Sequence, residues 1–569
     1  MLLDKTDREW IENKYHRTDE PFDPLNRMAY HGIGYAEETG MDDEEILTGL
    51  KMLQPSLSTM PHPVARAMAI KYVLETERLY INEHDHFVGL YSLGRLANSV
   101  TSNVWQGETQ KKRDPATLKN AGLFNESGAV ANWTDYDHVV PDWESLMRLG
   151  FTGVKERAQE YRKKHLEDGT LTEEMAAFFD GIAIEYDAII ALIDRMYRYA
   201  VTLRHKKAAR IAGCLETLRD GAPTDIYEAM QLILLYFVIS ESVDGFQVRS
   251  LGNGLVRTLY RFYENDLKTG KYTREEIRTL LAYFLLQWSA IGNYWGQPFY
   301  LGGTTPDGRT RYNALSDDIL AVYDDLGIYN PKIQLKINRN TPDRILDKAL
   351  DMVRRKNASL VFCCEPGMIK AVMGYGATYE EALDMDIRGC YETGVRANEA
   401  CAGEGYINAA KAVEYVFSNG FDKRINQQVG IRTGGLAALG RKNGDILSKN
   451  GSPSDGMDKN GVTALIESAV KLTPSNFCEV FCLDSMLLPS AVEGEDGLAV
   501  FKALLKTYME QGEMAVQFNI FRTEALRDAQ KNPEKYKNLQ VRVCGWNVLW
   551  NNLSREEQEA YIRRAENIG

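Results

Sequence analysis

Apolar residues recur at three- and four-residue spacing near 61–80, 142–167, 173–199 and 201–219, with clusters of Gly, Pro and Asp between these segments. That period predicts a mainly helical first 230 residues. Residues 225–240, ending in Leu234-Leu235-Tyr236-Phe237-Val238-Ile239, and 275–292 are two further helix candidates. The period then changes. Lys332-Ile333-Gln334-Leu335-Lys336-Ile337 alternates polar and apolar residues, as a half-buried strand should. A helix follows Asn340-Thr341-Pro342 to about 354, Leu360-Val361-Phe362-Cys363-Cys364 predicts the next strand, and a helix from about 377 to 386 leads to Cys390. A helix over 495–510, a strand over 515–520, a helix over 522–529 and a strand over 539–543 continue the alternation. Ser554 and Glu557 form a capping-box pattern that opens a charged terminal helix. Pro306-Asp307-Gly308 predicts a turn, and the Gly-, Asn- and Ser-rich stretch 442–459 predicts an exposed loop, a lid or a packed Ω-loop. Strands alternating with helices favour an α/β body.

Composition narrows the picture. The 569 residues carry 80 acidic and 67 basic side chains, a formal charge of −13, which disfavours a general nucleic-acid surface. No run of eighteen apolar residues predicts a membrane span, and Met1-Leu2-Leu3-Asp4-Lys5 lacks the layout of a secretory signal, so a cytoplasmic enzyme is the expectation. Eight cysteines spread over so long a chain do not resemble a disulfide scaffold. Neither Cys363-Cys364 nor Cys478/Cys482 forms a paired CxxC array, so buried structural thiols are expected there and no metal.

Two distant segments carry more information. Val541-Arg542-Val543-Cys544-Gly545-Trp546 resembles the radical-bearing segment of glycyl radical enzymes, the broad family that includes pyruvate formate-lyase and the radical diol, choline and hydroxyproline lyases. Gly389-Cys390-Tyr391-Glu392 resembles that family's catalytic-cysteine loop. Ser250-Leu251-Gly252, Leu301-Gly302-Gly303, Pro306-Asp307-Gly308 with Asn313, and Gln517-Phe518-Asn519 resemble it in the same order. The resemblance implies a ten-stranded α/β barrel of two five-stranded half-barrels surrounded by helices. It implies a barrel domain over 1–520 with a helical N-terminal part, and a radical domain over 521–569 belonging to the same barrel. It also implies a stored glycyl radical on Gly545, no tightly bound cofactor, and a separate radical-SAM activating enzyme using S-adenosylmethionine and a [4Fe-4S] cluster. The chain is shorter than most members, and Cys544 and Trp546 stand where relatives usually carry Ser or Ala and Tyr or Phe.

The chemistry of the residues agrees. A glycine Cα radical is stabilised by its amide nitrogen and its carbonyl, and the missing side chain allows close backbone approach. A neighbouring thiol, Cys390, can relay the radical to a substrate C–H bond, provided competing reactants are excluded. Cys390-Tyr391-Glu392 has the Cys-x-Glu form of eliminating and decarboxylating relatives, not the Cys-Cys form of the formate acyltransferase. Glu392 would accept a proton from a substrate hydroxyl. His84 and His86 are candidates to protonate a leaving group, on one side of a strand by their i,i+2 spacing. Ser242, Asp244, Gln247 and Arg249 precede the Ser250 match and form a candidate substrate wall, with Arg249 suited to a carboxylate or sulfonate. Glu404 resembles a second acid of diol-type relatives, and Arg542 is expected to brace the radical segment. The expected activity is dehydration of a small polar substrate. Radical decarboxylation, C–C, C–N or C–S cleavage, formate acyl transfer, a non-enzymatic radical subunit and homodimer formation stay open.

Overall fold

The protein, described as a computed structural model, is characterised for residues 3–13, 39–90, 94–100, 114–116, 119, 122, 130–133, 141–243, 254–291, 298–355, 357–389, 391–395, 404–407, 421–422, 427–428, 463, 466, 470, 475, 482–537, 539–543 and 546–568. Contacts divide the chain into two units. The first holds Met1–Lys112, Asp137–Asn293 and Ala321–Asn330; the second holds Arg113–Tyr136, Tyr294–Leu320 and Pro331–Gly569.

The first unit is helical, as the three- and four-residue period requires. Its elements are α1 (Lys5–Asn13), α2 (Asp43–Leu57), α3 (His62–Thr76), the short pair β1 (Leu79–Tyr80) and β2 (Gly89–Leu90), α4 (Trp143–Glu167), α5 (Glu173–Ala200), α6 (Ala208–Asp220), α7 (Ile226–Val243), α8 (Leu255–Thr269) and α9 (Arg274–Ile291). The helix α10 (Ala314–Leu326) starts in the second unit and ends in the first. The buried stripe of α5, including Ala188, Leu192, Ile193 and Met196, packs on α3, α4 and α6. The helix expected from 201 begins at Ala208, because the amides of Thr202 and Leu203 turn back to the carbonyls of Tyr199 and Ala200. The helix α7 is long and apolar enough to cross a membrane, but 89% of it is buried, which is the behaviour of a core helix. Asp266 accepts the Ile226 amide at its start (2.8 Å), and the Arg95 and Leu96 amides donate to the Glu241 and Ser242 carbonyls at its end.

The second unit contains β3 (Val130–Trp133), β4 (Phe299–Gly302), β5 (Ile333–Ile337), α11 (Asp343–Arg354), β6 (Leu360–Cys364), α12 (Glu365–Gly374), α13 (Tyr379–Leu383), β7 (Asp386–Arg388), β8 (Glu392–Gly394), β9 (Glu404–Ile407), β10 (Phe421–Asp422), β11 (Gln427–Gln428), β12 (Cys482–Leu487), α14 (Gly494–Glu510), β13 (Ala515–Ile520), α15 (Thr523–Lys531), β14 (Gln540–Val543), β15 (Trp546–Leu549) and α16 (Arg555–Ile568). Five strands form one sheet in the order β12-β13-β6-β5-β4. β4, β5 and β6 are parallel, β12 and β13 are parallel, and the two sets join antiparallel where Ala515 faces Cys363 and Val516 faces Phe362. The helix expected over 377–386 is confined to α13, because Thr378 and Glu381 form a capping box at its start and the chain turns at Asp384.

The alternation in β5 misled on burial. All five residues of β5 and all six of β13 are buried, so both faces of these strands are covered. Their polar members Gln334, Lys336, Gln517 and Asn519 are therefore inside the protein and need partners there. The stretch 442–459 lies outside the described residues.

Candidate active site

The cysteine segment is a hairpin. β7 pairs antiparallel with β8, matching Asp386 to Gly394 and Arg388 to Glu392. Cys390, between them, lies outside the described residues, but its neighbours on both sides are characterised. Gly389 has φ +52°, a left-handed conformation that costs glycine little, and its carbonyl accepts from Gln334 Nε2 at 3.3 Å. The Tyr300 hydroxyl donates to Asp386 Oδ1 at 3.0 Å, and Arg388 Nη2 donates to the Thr393 carbonyl at 2.9 Å. Lys336 Nζ donates to the Met385 carbonyl and lies 4.3 Å from the Tyr300 ring centre. Burial pushes the Lys336 ammonium below the ordinary lysine range, with the Glu365 and Asp386 carboxylates opposing that shift. The inward polar residues of the buried strands thus hold the base and tip of the cysteine hairpin.

Glu392 is half-buried at the start of β8, and its Oε2 accepts the Tyr391 amide at 3.1 Å. The Tyr391 ring is 4% exposed in an apolar cluster with Tyr300, Val361, Cys363, Met514 and Ala515. Its hydroxyl donates to Gln517 Oε1.

The radical segment is a second hairpin. β14 and β15 pair antiparallel from Gln540↔Leu549 to Val543↔Trp546. Cys544 and Gly545, which connect them, lie outside the described residues. Arg542 is fully buried and ties this hairpin to β13. Its Nε donates to Gln517 Oε1 at 2.6 Å, and its Nη1 to Asn547 Oδ1 at 3.3 Å. Its amide donates to Asn519 Oδ1 at 2.8 Å, and its carbonyl accepts from Asn519 Nδ2 at 3.0 Å and from the Tyr561 hydroxyl at 2.6 Å. Asn547 Nδ2 donates on to Ser359 Oγ at 2.7 Å. Leaving one such buried group without its bond costs about 1–3 kcal/mol, so this network fixes the hairpin firmly.

Gln517 therefore receives Tyr391, next to Cys390, and Arg542, three residues before Gly545, on a single oxygen. Arg542 has no acceptor to offer, which fixes the orientation of the Gln517 amide. Its Nε2 then has no partner among the described residues. Sequence reasoning expected Arg542 to brace the segment but missed Tyr391, Gln334, Asn547 and Tyr561. The available signal was a polar residue at alternate positions of a strand that tertiary structure buries on both faces.

The remaining candidates belong to other segments of the chain. His84 and His86 belong to the first unit, in the connection between β1 and β2 and not on a strand. Asn82 Oδ1 accepts the His84 amide (2.9 Å) and Asp85 Oδ1 the Phe87 amide (3.1 Å), turns that compete with strand pairing. His84 Nδ1 lies 3.1 Å from Asp7 Oδ1, and Asp7 also binds Lys207 Nζ at 2.7 Å and the Tyr283 hydroxyl. His86 packs edge-on to Tyr283 at 4.2 Å. Burial, helped by the positive charge of Lys207, depresses its imidazole to about 4, so at neutral pH the ring is uncharged. Ser242 is fully buried, and its hydroxyl donates to Glu77 Oε2 at 2.5 Å. Asp244, Gln247, Arg249 and the Ser250 match lie outside the described residues. Glu404 opens β9, its backbone opposite Trp133. Cys363 and Cys364 are fully buried free thiols, and burial pushes Cys363 up to about 12. Among the described residues no cluster of three metal-ligating side chains occurs.

Comparison with known proteins defines the class. Residues 99–441 match the family described as pyruvate formate lyase-like, and residues 447–551 match the glycine radical family. Cys390 lies in the first match and Gly545 in the second. The chain belongs to the pyruvate formate lyase-like glycyl radical enzymes, and its α/β fold is theirs, consistent with the ten-stranded barrel architecture typical of that family.

Three relatives mark its surroundings. Trans-4-hydroxy-L-proline dehydratase of Clostridioides difficile is 21% identical over 749 aligned positions, covering 89% of this chain and 94% of the relative. The solved structure of hydroxyproline dehydratase from Clostridioides difficile superimposes with a TM-score of 0.78 at 19% identity, covering 99% of both chains, a likeness of fold. Isethionate sulfite-lyase of Desulfovibrio desulfuricans is 25% identical over 348 residues, covering 56% of this chain and 41% of the relative. Indoleacetate decarboxylase of Tractidigestivibacter scatoligenes is 44% identical over 115 residues, 20% of this chain and 13% of the relative. The matched parts thus span less than half the length of two of these three relatives.

Proposed function

We propose that this chain is a glycyl radical lyase that eliminates water from a small hydroxylated substrate. The observation that carries the reading is the shared Gln517 oxygen, which joins the residues flanking Cys390 to those flanking Gly545 within one unit. Gly545 stores the radical and takes a hydrogen atom from the Cys390 thiol. On a vicinal diol the resulting thiyl takes a hydrogen atom from one hydroxyl-bearing carbon. Glu392 accepts the hydroxyl proton, the ketyl-like radical expels the neighbouring hydroxide, and the proton on Glu392 passes to that hydroxide so that it leaves as water. Cys390 then returns a hydrogen atom to the product radical, and the net change is loss of one water. His86, neutral near pH 7, serves only as a hydrogen-bonding group in this scheme, and Arg249 and Asp244 are proposed to hold polar substrate groups. Residues 1–520 act as the barrel domain and 521–569 as the radical domain.

The proposed partner is a separate radical-SAM activating enzyme with S-adenosylmethionine and a [4Fe-4S] cluster; a cytoplasmic homodimer is the proposed working form. Sulfonate elimination, as the name isethionate sulfite-lyase describes for that relative, follows the same steps with sulfite as leaving group. Decarboxylation is the second reading, favoured by the 44% identity to the indoleacetate decarboxylase over 115 residues. Anaerobic activation followed by product analysis on trans-4-hydroxy-L-proline, 1,2-propanediol, glycerol, isethionate and indoleacetate tests the proposal. The expected result is a glycine-centred doublet in electron paramagnetic resonance and a dehydrated product, both abolished in Gly545→Ala. Turnover without a doublet, or undiminished in Gly545→Ala, would refute the radical mechanism.

A further inference from the structure

We infer that the Tyr391 hydroxyl, through the amide of Gln517, is a positioning group that sets the cysteine loop against the radical hairpin. The inference rests on the radical mechanism proposed above. Hydrogen-atom transfer between a glycine Cα and a thiol requires the two to meet within van der Waals reach, and small displacements of reacting atoms cost rate steeply. Each donor segment has its own anchors. The cysteine hairpin is held by Tyr300, Lys336 and Gln334, and the radical hairpin by Asn519, Ser359 and Tyr561. Gln517 Oε1 accepts from both. Tyr391 is the residue after Cys390, and it is held at its amide by Glu392 and at its hydroxyl by Gln517.

Packing alone does not supply this link. The Tyr391 ring lies in an apolar cluster, and phenylalanine would fill the same space. What phenylalanine lacks is the directed bond to the oxygen that Arg542 also holds. The Gln517 amide is fully buried, and its orientation is dictated by the donor-only guanidinium, so the tyrosine hydroxyl must donate. A glutamate at 517 would keep an acceptor for both donors and give up only an Nε2 that has no partner among the described residues.

The test compares wild type, Tyr391→Phe, Gln517→Glu, Gln517→Leu and the Tyr391→Phe/Gln517→Leu double variant after anaerobic activation. Spin is counted on the glycine doublet, and turnover is measured per spin on whichever of trans-4-hydroxy-L-proline, 1,2-propanediol, glycerol or isethionate the wild type converts. Tyr391→Phe is expected to keep its melting temperature and radical yield while kcat per spin falls roughly tenfold with KM unchanged. Gln517→Glu should retain most of the wild-type rate, and the double variant should be no slower than Gln517→Leu, because both changes break one linkage. Wild-type kcat per spin in Tyr391→Phe, or losses in the two single variants that multiply in the double, would overturn the positioning role. If Gln517→Leu fails to fold, Tyr391→Phe and Gln517→Glu still decide the matter. A wild type that forms no doublet overturns the radical mechanism itself, an outcome distinct from a variant that forms the radical and turns over normally.

Discussion

Glu513 separates a structural charge cost from chemistry and can be tested without substrate. It precedes β13, is 2% exposed, and its Oε2 has no hydrogen-bond partner among the described residues. Its backbone packs closely on α12, where a Cβ built on Gly367 would lie 2.3 Å from the Glu513 carbonyl oxygen. Burial alone raises the carboxyl from 4.5 to about 7. Keeping the proton to that pH corresponds to roughly 3 kcal/mol of cost for charging the group in the folded protein. Below pH 4.5 the folded and unfolded chains both hold the proton and nothing is lost. Between 4.5 and 7 the unfolded chain ionises first, so stability declines as pH rises, and above 7 the full cost applies. The substitution Glu513→Gln places an amide there that cannot ionise. The difference in unfolding free energy between variant and wild type should therefore grow in the variant's favour by roughly 3 kcal/mol from pH 4 to pH 8.5. Urea unfolding followed by intrinsic fluorescence at both pH values measures it, using the shift in midpoint at constant slope. A difference that stays constant across that range would refute the reasoning.

Other consequences follow from particular residues. His86 is held neutral by burial to about pH 4, below the 6.5 of an exposed imidazole, so the unfolded chain takes up its proton first. Stability should fall as pH drops from 6.5 through 4, and His86→Gln should flatten that part of the melting-temperature profile; an unchanged profile would count against it. Gly302 has φ +84°, and a Cβ there would lie 2.3 Å from the Tyr312 ring, whose hydroxyl donates to the Lys336 carbonyl at 3.1 Å. Gly302→Ala should cost about 2–4 kcal/mol by urea unfolding, and a wild-type midpoint would show that the strand end can relax.

Much of the architecture was legible in the chain because local physics decides it. The helical periods gave α4, α5, α7 and α9 within a few residues, and alternation located β5, β13 and β14. Other elements escaped for local reasons. α2 carries Gly49 and Pro55 within its span, and α12 opens on Glu365-Pro366-Gly367, so neither has an unbroken period. The strand placement of the histidines failed for a related reason: side chains of Asn82 and Asp85 bind nearby amides and turn the chain, which no i,i+2 spacing can reveal.

The order of amino acids was enough to identify the family and the two segments on which its chemistry depends, because a glycine that can hold spin and a thiol followed by a carboxylate are defined by covalent identity. It was also enough to locate most helices and strands, since periodicity is a local property. What the polar residues of the buried strands are for emerged only from packing in three dimensions. Gln334, Lys336, Gln517 and Asn519 would face water if one side of their strands were open. Covered on both sides, they must find partners indoors, and the carbonyls, hydroxyls and guanidinium within reach belong to the cysteine and radical hairpins. The cost of an unsatisfied buried polar group, which no one-dimensional pattern expresses, is what ties those two hairpins to the same strands.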